Sequence, residues 1–314
     1  MVCSDSRDNP QGKGPFRAAV RGNERIGERF YRVRLEFSGR GGAAFACAEP
    51  GQFAQLDVAD VPLPRPESIP ADLRDASRRN ILLRRPYSFS DVTAGGDRTL
   101  VDIIYCALGP SSLRMTSLSA GDSVSIIGPL GNGFSVPADK KAALLVSGGM
   151  GAGPLLHLAK VIKGKNPKME TAALLGAKTA AESLFELPVE NCNRQGLSLD
   201  EFRADAVEWV LDDGPAGHRG FVTERLEKRL DETRFGPLET IIYACGPEPM
   251  LATVAQIASS KDVEAQLSME RRMACGIGLC QSCAVECRCE QPGETVYKLC
   301  CKDGPVFDSA EPVF

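Results

Sequence analysis

Four cysteines, Cys275, Cys280, Cys283 and Cys301, constrain this chain more than any other feature. They stand in the run Cys275-Gly-Ile-Gly-Leu-Cys280-Gln-Ser-Cys283, and Cys301 returns after seventeen further residues. Four intervening residues, then two, then a distant single cysteine is the plant-type ligand spacing of a 2Fe–2S cluster held by four thiolates. Such a loop has to wrap one face of a cluster. Gly276 and Gly278 permit turns with φ > 0 and a close approach of backbone to the sulfides. Structural zinc is the alternative, but zinc ribbons favour two paired C-x2-C knuckles, and only Cys280 and Cys283 form one. The spacing therefore predicts a 2Fe–2S segment.

The remaining cysteines fit that reading. Seven of the twelve crowd between Cys275 and Cys301, which suits metal ligation in a reducing compartment better than a dispersed disulfide framework. Cys3, Cys47, Cys106 and Cys192 are expected to be ordinary free thiols, partly or fully buried. Only two histidines occur, His157 and His218, so histidine-based acid–base chemistry has little material. His157 lies in an apolar helical run and is expected to be a packed side chain.

At 314 residues the chain accommodates two ordinary domains plus a small appendix. Its 43% hydrophobic and 25% charged content is that of a soluble globular protein. A net charge of −4, without a basic run, gives no general attraction to nucleic acid or to an anionic membrane. No apolar segment approaches the ~20 residues of a membrane span. The first residues lack the apolar core of a secretory signal, so a cytoplasmic location is expected.

Along the chain the texture changes twice. From Phe16 to about Val136, short alternating segments predict a small antiparallel barrel, with strands near 31–37, 53–58, 100–105 and 123–127. Residues 59–80, with Pro62, Pro64, Pro66 and Pro70, interrupt it and are expected to be an exposed insertion. From about Asp139, apolar runs at 142–146, 172–175, 207–211 and 241–244 alternate with helical patterns, as in a doubly wound α/β domain. The expected units are a β-barrel at 14–137, an α/β domain at 138–267 and a cluster segment at 268–314.

Three motifs carry chemistry. In Arg85-Pro86-Tyr87-Ser88, the arginine offers a fork for a phosphate. Tyr87 lies on the same strand face and offers a ring to stack on. The Ser88 hydroxyl can donate to a ring nitrogen. Ser147-Gly148-Gly149-Met150-Gly151-Ala152-Gly153-Pro154 follows a buried strand and precedes a helix, the context of a loop whose amides approach a pyrophosphate. It lacks the lysine of a P-loop, which argues against nucleotide hydrolysis. Tyr243-Ala-Cys245-Gly246-Pro247 stands at a strand's C-terminal end, where α/β sheets bind ligands, and Cys245 is expected to point into the crevice between the domains. Each motif alone has a bland reading: an arginine turn, a tight turn, a thiol in a strand-to-helix turn.

Together they resemble the ferredoxin reductase superfamily, in which a barrel binds a flavin and an α/β domain binds a nicotinamide nucleotide. The run Ser268-Met-Glu-Arg-Arg-Met-Ala-Cys275 through Cys283, and the ending Cys301-Lys-Asp-Gly-Pro-Val-Phe307, resemble the electron-transfer subunits of NAD-dependent dihydroorotate dehydrogenase. Leu211-Asp-Asp213-Gly214 and Gly220-Phe-Val-Thr223 match the middle region of that family, and the resemblance spans roughly 16–308. It implies that Arg85, Pro86, Tyr87 and Ser88 hold FAD, with Tyr105, Gly109, Ser111 and Ser112 adding flavin contacts. Gly148, Gly149, Gly151, Gly153, Gly176, Asp213, Cys245, Gly246 and Pro247 would line the NAD side, with Ser88 and Cys245 nearest the chemistry. Cys301, in the family position before Asp-Gly-Pro, would be the fourth iron ligand rather than Cys300, and Cys287 and Cys289 would be dispensable. Ser111 and Ser112 replace the family's glycine and threonine, Leu211 replaces its threonine, and 59–80 has no family counterpart.

The function implied is electron transfer, with no general base. An FMN-containing catalytic dehydrogenase subunit, in a heterotetramer, would pass electrons through the 2Fe–2S cluster and FAD to NAD as dihydroorotate becomes orotate in pyrimidine biosynthesis. Two rival readings are the small subunit of an NAD(P)H–ferredoxin oxidoreductase or electron-bifurcating complex, and a non-catalytic redox sensor.

Overall fold

Period-two alternation builds the first half of the chain. In the computed structural model, which describes residues 13–188, 196–212, 218–289, 291 and 293–314, it yields seven antiparallel strands. These are β1 (Gly14–Arg25), β2 (Phe30–Ser38), β3 (Phe53–Asp57), β4 (Arg85–Ser88), β5 (Asp91–Gly95), β6 (Arg98–Cys106) and β7 (Ser123–Leu130). Their order across the sheet is β4-β3-β7-β1-β2-β6-β5. Along β2, Val33, Leu35 and Phe37 are buried while Arg34 and Ser38 are exposed. The sheet curls back on itself at Ser90, just past β4. Its N–H and hydroxyl both donate to the carbonyl of Asp102 on β6, at 2.8 and 3.0 Å. Phe45, on helix α1 (Gly39–Ala46), fills the interior and stacks on Phe37 with centroids 3.8 Å apart.

Residues 59–80 are not simply an exposed excursion. Short helical turns at 66–68 and 71–73, continued by α2 (Arg74–Ser77), bury Ile69 and Leu73. Both pack with Ala107 and with Leu113 of α3 (Pro110–Met115). Arg29 holds Asp72 through two bonds of 2.7 and 2.8 Å. Two apolar side chains and one ion pair anchor a stretch whose proline content reads as loop.

Continuous apolar runs build the second half, because its strands are covered on both faces. The strands β8 (Ala142–Gly148), β9 (Glu170–Ala177), β10 (Ala206–Leu211), β11 (His218–Arg219), β12 (Thr240–Cys245) and β13 (Glu264–Ser268) are parallel. Helices α4 (Ala152–Lys165), α5 (Val222–Glu232) and α6 (Glu248–Lys261) connect them. Each fully buried leucine of this kind, such as Leu145 on β8, contributes about 1.5–3 kcal/mol.

The cysteine segment then adds a hairpin, β14 (Ala284–Arg288) with β15 (Thr295–Leu299), and a last strand, β16 (Val306–Asp308). β16 joins the second sheet antiparallel to β13, giving the order β11-β10-β9-β8-β12-β13-β16. β9 and β10 lie to one side of β8, and β12 and β13 to the other. The winding therefore reverses between β8 and β12, where open α/β sheets form a ligand crevice at the strand C-termini.

Side chains stitch the two halves together. Lys160 of α4 donates to Asp91, Val92 and Thr93 on β5, at 2.5, 3.1 and 2.8 Å. This partly exposed ion pair contributes up to about 1 kcal/mol. The Tyr243 hydroxyl donates to the carbonyl of Ser135 at 2.8 Å, and its ring meets Phe134 edge-on. After β7, Asn132 donates from its backbone to Gly304 at 2.6 Å and from its side chain to the carbonyl of Asp303 at 2.9 Å.

His157 is a packed side chain, as expected, and burial pushes its pKa down to about 4. Cys106 is half-buried, and burial raises its thiol to about 11. Cys47 departs from the expected free, buried thiol. It follows α1 at an exposed position and is disulfide-bonded. Cys3 and Cys192 lie outside the described residues.

Candidate functional site

The cysteine loop takes the backbone form its glycines allow. Gly276 and Gly278 have φ of +70° and +86°, and Gln281 follows at +57°. These turns fold the loop around the Cys275 sulfur, which accepts N–H bonds from Ile277 at 3.5 Å and Cys280 at 3.4 Å. The Ser282 hydroxyl, 3.2 Å from the exposed Cys280 sulfur, and the loop amides hold that thiol down at about 6. Cys301 is 97% buried in the opposite sense: burial first, then the Cys283 thiol against it, push it up to about 12, and Cys275 adds to the effect.

The Cys280 amide bonds the Cys275 sulfur, and the thiols of Cys283 and Cys275 both act on Cys301, so the four share one neighbourhood. Among the described residues no three such side chains close around one point as they would for a single ion. A core of two irons bridged by sulfides is wider, and four thiols of this arrangement suit it in number and chemistry.

Cys300 turns away. Its Sγ donates to the carbonyl of Met269 at 3.5 Å while its N–H donates to the carbonyl of Cys283. The separation of Cys300 from Cys301 arises in a tight turn rather than in an extended strand: Asp303 and Lys302 both return N–H bonds to the carbonyl of Leu299. Cys287 is fully buried on β14, and the Cys289 sulfur faces the carbonyl of Gln291.

On the barrel, β4 carries Arg85, Pro86, Tyr87 and Ser88 against β3, with Leu56 opposite Arg85, Ala54 opposite Tyr87 and Phe53 opposite Ser88. Among the described residues, the exposed Arg85 guanidinium reaches only the carbonyls of Leu83 and Arg84, at 3.4 and 3.2 Å. Neighbouring Arg84 is by contrast engaged with Ser125 and Asp57. Arg85 therefore keeps its fork available for an anion. Tyr87 meets Tyr105 edge-on at 6.3 Å, and Tyr105 stacks on Tyr31 at 5.4 Å. Tyr105 itself is buried and donates its hydroxyl to Asn23, so it backs Tyr87 from inside the barrel. Gly109 precedes α3, and Ser111 and Ser112 are buried in its first turn. Ser112 Oγ accepts the N–H groups of Leu108 and Gly109 at 3.0 and 3.1 Å, which assigns it a capping role.

At the crevice of the second sheet, the glycine loop after β8 presses on the turn after β12. A Cβ on Gly151 would lie 2.0 Å from the carbonyl of Cys245, and one on Gly148 would lie 2.7 Å from Pro247. A Cβ on Gly246 would approach Met250 at 2.7 Å and Gly148 at 2.9 Å. Gly149 has φ +52°, whereas Gly153 has open space at its Cα. Gly176, at the end of β9, lies close to Val222 and Ser147. Two motifs distant in sequence thus make one backbone-lined cradle beside the start of α4. Cys245 is buried there, with its thiol raised to about 12 by burial, and Ser268 pairs opposite it on β13. Asp213 lies outside the described residues.

Two residues near these motifs escaped the sequence reading. Trp209 lines the cleft beside Ser147, Gly149 and Gly176, and its indole N–H has no partner among the described residues. Gln55 is fully buried on β3, and neither atom of its amide finds a partner among the described residues, a cost of about 1–3 kcal/mol per group. An alternating strand gives no hint that a position on the face away from the barrel interior is both buried and polar.

With this geometry in place, comparison with known proteins is decisive. Residues 270–311 match the model of the iron–sulfur cluster binding domain of dihydroorotate dehydrogenase B, and 145–256 match an oxidoreductase NAD-binding domain. A Bacillus velezensis protein named dihydroorotate dehydrogenase B (NAD(+)), electron transfer subunit is 35% identical over 295 residues, covering 93% of this chain and 96% of its own. A Geobacillus kaustophilus protein of the same name is 35% identical over 305 residues, covering 96% and 99%. The chain belongs to the dihydroorotate dehydrogenase B electron transfer subunit family.

Solved structures share the fold of this family member. A structure of the NADH-dependent reduced ferredoxin–NADP oxidoreductase superposes with a TM-score of 0.69 at 23% identity, over 94% of this chain and 89% of that one. Phthalate dioxygenase reductase gives 0.54 at 18%, over 92% and 78%. The antiparallel barrel, the doubly wound sheet and the C-terminal iron–sulfur segment all agree with the sequence reading. Among the described residues no helix is long and apolar enough to cross a membrane.

The thiol arrangement in this dihydroorotate dehydrogenase B family member makes a sharp prediction. Cys301→Ser should lose iron, measured per chain on purified protein, while Cys300→Ser should keep it. The reverse result would overturn the ligand assignment.

Proposed function

We propose that this chain is the electron conduit of a dihydroorotate-oxidising complex, joining an FMN-containing catalytic subunit to NAD in a cytoplasmic heterotetramer. Its working units are a flavin barrel at 14–137, a nicotinamide-nucleotide domain at 138–267 and a cluster segment at 268–314. The single observation that carries the reading is the seating of the cysteine loop against β3, the strand paired with Arg85-Pro86-Tyr87-Ser88. That seating supports a reading in which a one-electron site lies behind a flavin site.

The residues suit the groups they would hold. Cys275, Cys280, Cys283 and Cys301 ligate the cluster. Arg85, with no carboxylate bound, takes a flavin phosphate, and Tyr87, braced by Tyr105, packs against the flavin. Gly109, Ser111 and Ser112 position the start of α3 beside it. The cradle of Gly148, Gly149, Gly151, Gly153 and Gly176, closed by Gly246 and Pro247, receives the nucleotide of NAD. When bound, the cluster and FAD supply conversion between one-electron and two-electron transfer. Cys245, held neutral by burial, orients the nicotinamide by contact rather than by attack. Ser88 has no side-chain hydrogen bond among the described residues, so its hydroxyl remains available to the flavin ring.

Ser88→Ala should therefore retain FAD yet slow its single-turnover reduction by NADH about 10-fold, equivalent to about 1.4 kcal/mol in the barrier. Unchanged reduction would remove Ser88 from the reaction.

The three motifs and the cysteine loop supply no general base for substrate oxidation. Purified alone, it should reduce an artificial acceptor with NADH but form no NADH from dihydroorotate. Adding the FMN-containing dehydrogenase subunit should establish that flow. Dihydroorotate oxidation by the isolated chain would refute the conduit. Co-purification with a different flavoprotein would point to a bifurcating complex, and lack of NADH-driven dye reduction would point to a sensor.

A further inference from the structure

The fully buried amide of Gln55 is the strongest feature left without a use. β3 alternates, with Ala54 and Leu56 facing the barrel interior. Phe53 on the opposite face packs in the core that contains Cys283, Cys300 and Cys301, and Ile127 lies against the same core. Gln55 shares that outward face: it stands between Phe53 and Asp57 along the strand and is paired with Ile127 of β7 and Pro86 of β4. An apolar side chain would satisfy such a position. Instead a carboxamide sits there at 0% exposure, with Nε2 and Oε1 both unpartnered. Buried polar groups are nearly always paired, so an orphaned amide marks a place where something else binds.

The cysteine loop identifies what that is. Gly276, directly after Cys275, packs on the Gln55 amide so closely that a Cβ there would lie 2.2 Å from Nε2, 2.6 Å from Cγ and 2.8 Å from Cδ. The loop amides of Ile277 and Cys280 already point at the Cys275 sulfur. A sulfide or thiolate accepts hydrogen bonds and donates none. The unused Nε2–H of Gln55, packed against Gly276 next to Cys275, is a donor without an acceptor among the described residues.

Resting on the cluster assignment made above, we propose that Gln55 donates a hydrogen bond from Nε2 to a sulfur of the 2Fe–2S centre and so sets its reduction potential from the flavin side. Hydrogen bonds to cluster sulfurs stabilise the added negative charge of the reduced state and raise the potential. The donor comes from the strand paired with Pro86, so one side chain couples the seating of the cluster loop to the flavin-binding strand.

The test uses the full chain with its cluster and FAD. Gln55→Met keeps the side-chain length and removes both polar atoms, while Gln55→His restores a donor. Iron and flavin are quantified, and the cluster midpoint is then measured by EPR-monitored redox titration. The expected result is wild-type iron and FAD in Gln55→Met with the midpoint moved to a more negative potential, and a return toward wild type in Gln55→His. An unchanged midpoint in Gln55→Met overturns this proposal and leaves the conduit reading standing. A wild-type chain that holds no cluster overturns both.

Should Gln55→Met lose its cluster, a second measurement decides. Glutamine amides are labelled with nitrogen-15 in a Gln281→Gly background, which removes the glutamine within the loop itself. Hyperfine coupling of the label to the reduced cluster is expected, and its absence overturns the proposal.

Discussion

The structure depends on how the C-terminal segment is clamped to both sheets at once. β16 extends the second sheet through β13, while Gly131 and Asn132 at the end of β7 grip Gly304 and Pro305. A Cβ on Gly131 would lie 2.6 Å from Pro305, and one on Gly51 would lie 2.7 Å from Val306. These close approaches leave the cysteine loop little freedom relative to the flavin strand. Electron transfer needs fixed distances more than it needs reactive side chains, and packing is what fixes them here.

Much of this was legible in the sequence because the decisive signals are local. The cysteine spacing, the glycine loop after an apolar strand and the Arg-Pro-Tyr-Ser strand each encode one turn or one strand face. What was not legible is long-range. Nothing local says that Val306–Asp308 will pair with β13, or that Gly276 will rest on Gln55. The 59–80 stretch misled because its prolines outweigh Ile69 and Leu73, whose partners lie on β6's exit and α3. Ser112, which departs from the family residue, proves to cap its own turn, a role any hydroxyl can fill.

The thiols differ in a way that suits an electron conduit. Cys280 is exposed and its thiol is held low by Ser282, whereas Cys301 is buried and held high by its surroundings and Cys283. One edge of the cluster site thus faces outward, flanked by the exposed Ile277 and Leu279, while the other lies in the protein core. Under the proposed function, electrons enter from a docked protein at the first edge and leave toward the barrel at the second.

The central claim is that the flavin and cluster sites of this chain form one electrically connected unit. Rapid-freeze EPR after anaerobic mixing of the isolated chain with NADH tests it most directly. Bleaching of the flavin should be followed by the signal of a reduced 2Fe–2S centre within the same turnover. A flavin fully reduced by NADH beside a cluster that stays oxidised, in a chain whose cluster dithionite reduces, would contradict it.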